Sequence, residues 1–143
     1  VYHELTRPMN PPLLFVIDDD PVYRLVMKKM AITCGILEQV RFFEDGERAF
    51  RHFEEHYTTA DQLPNLILLD LNMPYMDGWE FLDRFTDLYP LMAKPITTYI
   101  VSSSVAQGDR AKAERYETVR GFLSKPMTLA RFRELFAALS YEV

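Results

Sequence analysis

Two hydrophobic patterns alternate along the chain from Leu13 onward. Short apolar runs stand at residues 13–17, 39–43, 66–69, 98–101 and 119–123. The first, third and fourth are almost continuously apolar, as strands covered on both faces must be. Between the runs, apolar residues recur at helical spacing. Asp20-Pro21 reads as an N-cap with proline at the first helical position, and Val22, Leu25, Val26 and Met30 share one face of the helix that follows. Asp45 opens a segment with Ala49, Phe50, Phe53 and Tyr57 on one face. Residues 78–89 gather Phe81, Leu82, Phe85, Leu88 and Tyr89, and residues 106–116 are weakly amphipathic. Thr128 can cap a final helix carrying Leu129, Phe132, Leu135, Phe136 and Leu139.

Five strands alternating with five helices predict an α/β fold, a doubly wound five-stranded parallel sheet with helices on both faces. With strand order 2-1-3-4-5 the topology reverses between the first and third strands, and ligands of such sheets sit at the carboxyl ends of the strands there.

The 143 residues suffice for one domain. Residues 1–11 read as a lead-in or linker, proline-bearing and without periodicity, ahead of a domain at 12–143. Sixteen Lys and Arg against 21 Asp and Glu leave a net charge of −5, which argues against direct nucleic-acid binding. No apolar stretch is long enough for membrane insertion. The single cysteine, Cys34, cannot form an internal disulfide, so a cytoplasmic setting is expected.

Chemistry-bearing residues collect at the predicted strand ends. Asp18-Asp19-Asp20 closes the first strand, Asp70 the third, Ser102-Ser103-Ser104 the fourth and Ser124-Lys125-Pro126 the fifth. On one rim, carboxylates this close repel one another by about 4 kcal/mol per pair at ~4 Å and an effective dielectric near 20. A hard divalent cation relieves that repulsion, and Mg²⁺ suits a few carboxylates, a carbonyl and a phosphate oxygen. A carboxylate can itself attack phosphorus and form an acyl phosphate. Lys125 would then neutralise the phosphoryl oxygens, and Ser102 would donate a hydrogen bond to one of them.

These segments resemble the receiver domain of two-component response regulators. The resemblance lies in Phe15-Val16-Ile17-Asp18-Asp19-Asp20-Pro21, Leu69-Asp70-Leu71-Asn72-Met73-Pro74-Tyr75-Met76-Asp77-Gly78, Ile100-Val101-Ser102-Ser103 and Gly121-Phe122-Leu123-Ser124-Lys125-Pro126. It covers about residues 12–141 and implies the flavodoxin/CheY-like version of the fold. By resemblance, Asp70 is the phosphoacceptor and Asp19 a direct Mg²⁺ ligand. Asp18 acts on the metal largely through water, and the Asn72 backbone carbonyl is a further ligand. Ser102 and Phe122 fall on the switch positions, where threonine and tyrosine are commoner, and Lys125 falls on the family's lysine. Asn72 and Ser104 fall where hydrolysis of the aspartyl phosphate is tuned. The implied donor is a phosphohistidine on a sensor histidine kinase or a histidine phosphotransfer protein. The implied output is a downstream protein target or a homodimer, engaged through the fourth helix, fifth strand and fifth helix. The chain would thus be a signalling switch, with self-phosphorylation and autodephosphorylation its only reactions.

Two rivals remain open at this level. Asp18-x-Asp20 also resembles the opening motif of haloacid-dehalogenase-like phosphohydrolases, with Asp18 as nucleophile and Asp20 as general acid. That reading leaves Asp70 without a role and lacks a further acidic strand end after Lys125. A receiver-like interaction module that takes no phosphate is the other, though all the chemistry-bearing residues are present. His52-Phe53-Glu54-Glu55-His56 matches a zinc-protease pattern, but no suitable third ligand supports it.

Overall fold

A computed structural model describes residues 11–103 and 106–140. The proposed lead-in and Ser104 therefore fall, respectively, largely and wholly outside the described residues.

The strands are β1 (Leu14–Ile17), β2 (Val40–Phe43), β3 (Leu66–Leu69), β4 (Thr97–Ser102) and β5 (Val119–Ser124). They form one parallel sheet in the order β2-β1-β3-β4-β5. Every residue of the central strands β1 and β3 is buried, which explains their unbroken apolar text. Strand alternation splits the core in two. Phe15, Ile17, Ile67 and Leu69 face one layer of helices, and Leu14, Val16, Leu66 and Leu68 face the other.

The helices are α1 (Pro21–Thr33), α2 (Gly46–His56), α3 (Gly78–Leu88), α4 (Gln107–Ala113) and α5 (Leu129–Ser140). Helices α2 and α3 pack on the first core layer through Ala49, Phe50, Phe53, Phe81, Leu82 and Phe85. Helices α1 and α5 pack on the second through Tyr23, Met27, Ala31, Phe132 and Leu139. Four helices begin at side chains that satisfy first-turn N–H groups. Asp20 accepts from Val22 N at 2.9 Å, Asp45 from Arg48 N at 2.7 Å, Asp77 from Glu80 N at 2.9 Å and Thr128 from Arg131 N at 3.1 Å.

One expectation fails at α1. Val22, Leu25 and Val26 are 67%, 51% and 39% exposed, while Tyr23, Met27 and Ala31 are buried. Apolar residues surround this helix, so its periodicity selects no unique face. The spacing Tyr23, Met27, Ala31 is the one that meets the sheet. Helix α4 is shorter than expected, and Ala113 is its sole buried residue.

Candidate phosphoacceptor site

Three carboxylates meet where β1 and β3 end side by side. Ile17 pairs with Leu69, so the next residues, Asp18 and Asp70, leave the sheet together, and Asp70 N donates to the Ile17 carbonyl at 3.0 Å. Ligand oxygens of Asp18, Asp19 and Asp70 all lie within 4.8 Å of one another. Asp18 and Asp70 are buried and Asp19 is half-buried. Asp18 is held from both sides. Its Oδ1 accepts from Asp20 N at 2.9 Å, and its backbone carbonyl accepts from Arg24 Nη1 at 2.8 Å.

Lys125 enters from the end of β5, after which the Lys125–Pro126 peptide is cis. Its Nζ lies 2.7 Å from Asp18 Oδ2 and 3.8 Å from Asp70 Oδ1. Among the described residues, one ammonium against three acids leaves the cluster short of positive charge. Burial, and after it the Asp18 carboxylate, raises the Asp70 carboxyl from its ordinary 3.8 to about 6, against the opposing pull of Lys125. A cluster of hard oxygen donors with excess negative charge fits a divalent cation such as Mg²⁺.

The loop over the site depends on Gly78. A Cβ there would stand 2.7 Å from the Asp70 carbonyl oxygen and 2.8 Å from Leu71 Cα. The sequence suggests a glycine chosen for positive φ, but among the glycines described only Gly35 has one, at 70°. The requirement at Gly78 is close approach of two backbones. Tyr75, in the same loop, does adopt positive φ, at 67°, and is 94% exposed.

Ser102 ends β4 on the same rim and is buried, beside Ser124 of β5 in the register. Asn72 N donates to Asp70 Oδ1 at a long 3.4 Å. Phe122 is half-buried on the first core layer, with the Arg110 guanidinium 5.3 Å above its ring. Asp20 takes no part in the cluster, since its carboxylate caps α1. His52 and His56 lie on α2, where His52 is buried, its Nε2 2.7 Å from the Gln62 carbonyl oxygen. They join no metal-ligand cluster among the described residues.

Sequence reasoning missed two residues here. Arg24 anchors the β1 end, and Tyr23 lies under Lys125, whose Nζ is 4.3 Å from its ring centroid. Burial, then Asp18 and Asp70, hold the Tyr23 hydroxyl well above its ordinary range, so it stays protonated. The available signal was position: residues one turn into a helix that starts right after the acid pair lie back near the rim.

The sequence profile described as "Response regulator receiver domain" matches residues 14–137. The chain belongs to this family. It is similar to a two-component response regulator from Cytophaga hutchinsonii, with TM-score 0.77, 28% identity, and coverage of 91% of this chain and 97% of that one. It is 24% identical over 119 residues to a Methanothrix harundinacea protein named "Probable methanogenesis regulatory protein FilR2", covering 83% of this chain and 75% of that protein. It is 28% identical over 130 residues to a protein-glutamate methylesterase/protein-glutamine glutaminase of Burkholderia thailandensis, covering 87% of this chain but 34% of that relative's length. The shared part is thus the receiver and not the rest of that relative. The phosphohydrolase reading finds no support: the profile is a receiver's, and Asp70, not Asp20, shares the cluster with Asp18. No helix among the described residues is long and apolar enough to cross a membrane.

Proposed function

We propose that this receiver domain, at residues 12–143 after a lead-in at 1–11, accepts a phosphoryl group on Asp70 from a phosphohistidine of a sensor histidine kinase or histidine phosphotransfer protein. The observation that carries the reading is the convergence of Asp18, Asp19 and Asp70 within 4.8 Å beside the Lys125 ammonium. Asp18, Asp19, Asp70 and the Asn72 carbonyl would hold Mg²⁺, which supplies positive charge to the transferring oxygens. Asp70 attacks phosphorus in line with the departing imidazole, and the P–N bond electrons leave with the donor histidine. Lys125 neutralises the phosphoryl oxygens as the acyl phosphate forms, and Ser102 donates a hydrogen bond to one of them.

Ser102 and Phe122 then carry the change to the surface of α4, β5 and α5, where a downstream protein or a second copy binds. Two observations support that choice. Helix α4 buries only Ala113, and cationic contacts clamp it on two sides: Arg110 over Phe122, and Lys112 over Trp79 at 4.6 Å. An element so lightly packed shifts at low cost. Asn72 and Ser104 set the lifetime of the phosphoryl group, and the protein works in the cytoplasm. Incubation with acetyl phosphate and Mg²⁺, read by intact mass and site mapping, tests the reading. Label on Asp70, abolished by Asp70→Asn, is expected; label on Asp18, or label surviving Asp70→Asn, refutes it.

A further inference from the structure

Lys125 has four rotatable bonds, and its side chain is 18% exposed. Something must keep its ammonium inside the acid cluster. Asp18, at 2.7 Å, pulls it away from the phosphoacceptor, which is 3.8 Å distant. A divalent cation drawing on the same Asp18 carboxylate would weaken that hold. Among the described residues the ammonium also rests on the face of the Tyr23 ring, with Nζ 4.3 Å from the centroid.

Tyr23 is itself fixed. It is 9% exposed, on the first turn of α1, and packed in the core layer shared with Met27, Leu123 and Met127. Its hydroxyl is buried and finds no hydrogen-bond partner among the described residues. A phenol whose hydroxyl lacks a protein partner is a costly way to fill a core. Its aromatic face, by contrast, touches the Lys125 ammonium of the cluster.

We propose that Tyr23 is a positioning residue for Lys125: its ring seats the ammonium between Asp18 and Asp70 and keeps it in the cluster when the acids bind a metal. The inference rests on the reading of Asp70 as phosphoacceptor and adds a residue to that reaction. The ring does the work and the hydroxyl does not, so phenylalanine substitutes and an aliphatic side chain fails. Only a desolvated aromatic face attracts a cation strongly.

The test compares wild type, Tyr23→Phe and Tyr23→Leu, all with thermal melts to confirm folding. Proton–carbon NMR of the Lys125 ε-methylene reports the seat directly, because a ring at this distance shifts those protons upfield. The upfield shift is expected in wild type and Tyr23→Phe and absent in Tyr23→Leu. The rate of Asp70 labelling by acetyl phosphate with Mg²⁺ should hold in Tyr23→Phe and fall about tenfold in Tyr23→Leu. An unshifted ε-methylene in wild type overturns the proposal, even if the leucine variant does not fold. Wild-type labelling in Tyr23→Leu overturns it too, as does a loss in Tyr23→Phe as large as in Tyr23→Leu. If wild type shows the shift but takes no label on Asp70, the phosphoacceptor reading fails and the lysine seat stands.

Discussion

Replacing Asp70 by asparagine should stabilise the metal-free protein, and by an amount that depends on pH. The carboxyl is 6% exposed, and burial and the neighbouring Asp18 raise it from 3.8 to about 6. The folded state therefore binds this proton more tightly than the unfolded chain does. Its contribution to stability is full below pH ~4 and is lost as pH rises through about 6. Above that, ionised Asp70 costs the fold roughly 3 kcal/mol, taken from the displacement of its titration. Asparagine has nearly the same shape and no charge. Urea denaturation in EDTA, at constant ionic strength from pH 4 to 8, should show Asp70→Asn up to about 3 kcal/mol more stable than wild type at pH 8. The two should converge near pH 4. Adding Mg²⁺ at pH 8 should stabilise wild type more than the variant, because the metal satisfies the charge that the amide lacks. An asparagine variant no more stable than wild type at pH 8, or a gap that does not change with pH, would refute the electrostatic account of the cluster.

Gly78→Ala should cost about 3 kcal/mol or more in thermal or urea melts, since its Cβ would meet two backbone atoms under 3 Å away. Gly108→Ala, in α4 with nothing within 4 Å of the added carbon, should instead stabilise by about 0.5–1 kcal/mol. On α1, Leu25→Ser should change stability by less than about 0.5 kcal/mol, while Met27→Ala, with no exposure in wild type, should cost about 2–5 kcal/mol. Burial, foremost, lowers the His52 titration, so this residue favours the fold above its unfolded value of 6.5 and destabilises as pH falls below it. In an Asp70→Asn background that loss on acidification should be visible, and His52→Gln should flatten it.

Most of the fold was legible because its two periods are chemically distinct. Strands β1 and β3 are buried on both faces and so carry no polar residue, and caps at Asp20, Asp45 and Thr128 announced three of the five helices. Helix α1 was misread for the converse reason. With Val22, Tyr23, Leu25, Val26, Met27, Met30 and Ala31 all apolar or amphipathic, composition cannot say which stripe meets the sheet. The acid cluster was legible because strand order alone brings residues 18 and 70 together. Tyr23 and Arg24 were not, since their roles depend on which way the first turn of α1 faces, the very point the apolar pattern left ambiguous. The need for Gly78 was not legible either. Sequence marks a glycine, but only the distance to the Asp70 carbonyl tells close approach from positive φ.

Several unfavourable features among the described residues lie together along the carboxyl edge of the sheet. Asp70 is ionised only at a cost, Tyr75 holds a positive φ without being glycine, and Gly78 lies so near the backbone of Asp70 and Leu71 that no Cβ fits there. The neighbouring α4 has a single buried residue. Strain of this kind persists only where the rest of the structure over-determines it, and here the fully buried strands β1 and β3 supply that support. A fold relaxed at this edge would have little to gain from a phosphoryl group. In this one, converting Asp70 to an acyl phosphate changes the charge at a point already out of balance, beside the element least held by packing. Whatever changes the charge at the rim, whether a metal or the asparagine substitution relieving it or a phosphoryl group adding to it, should also alter the environment of Trp79, which Lys112 of α4 contacts at 4.6 Å. Trp79 fluorescence should therefore respond to Mg²⁺ in wild type and respond less in Asp70→Asn, and an equal response in both would place the coupling outside this cluster.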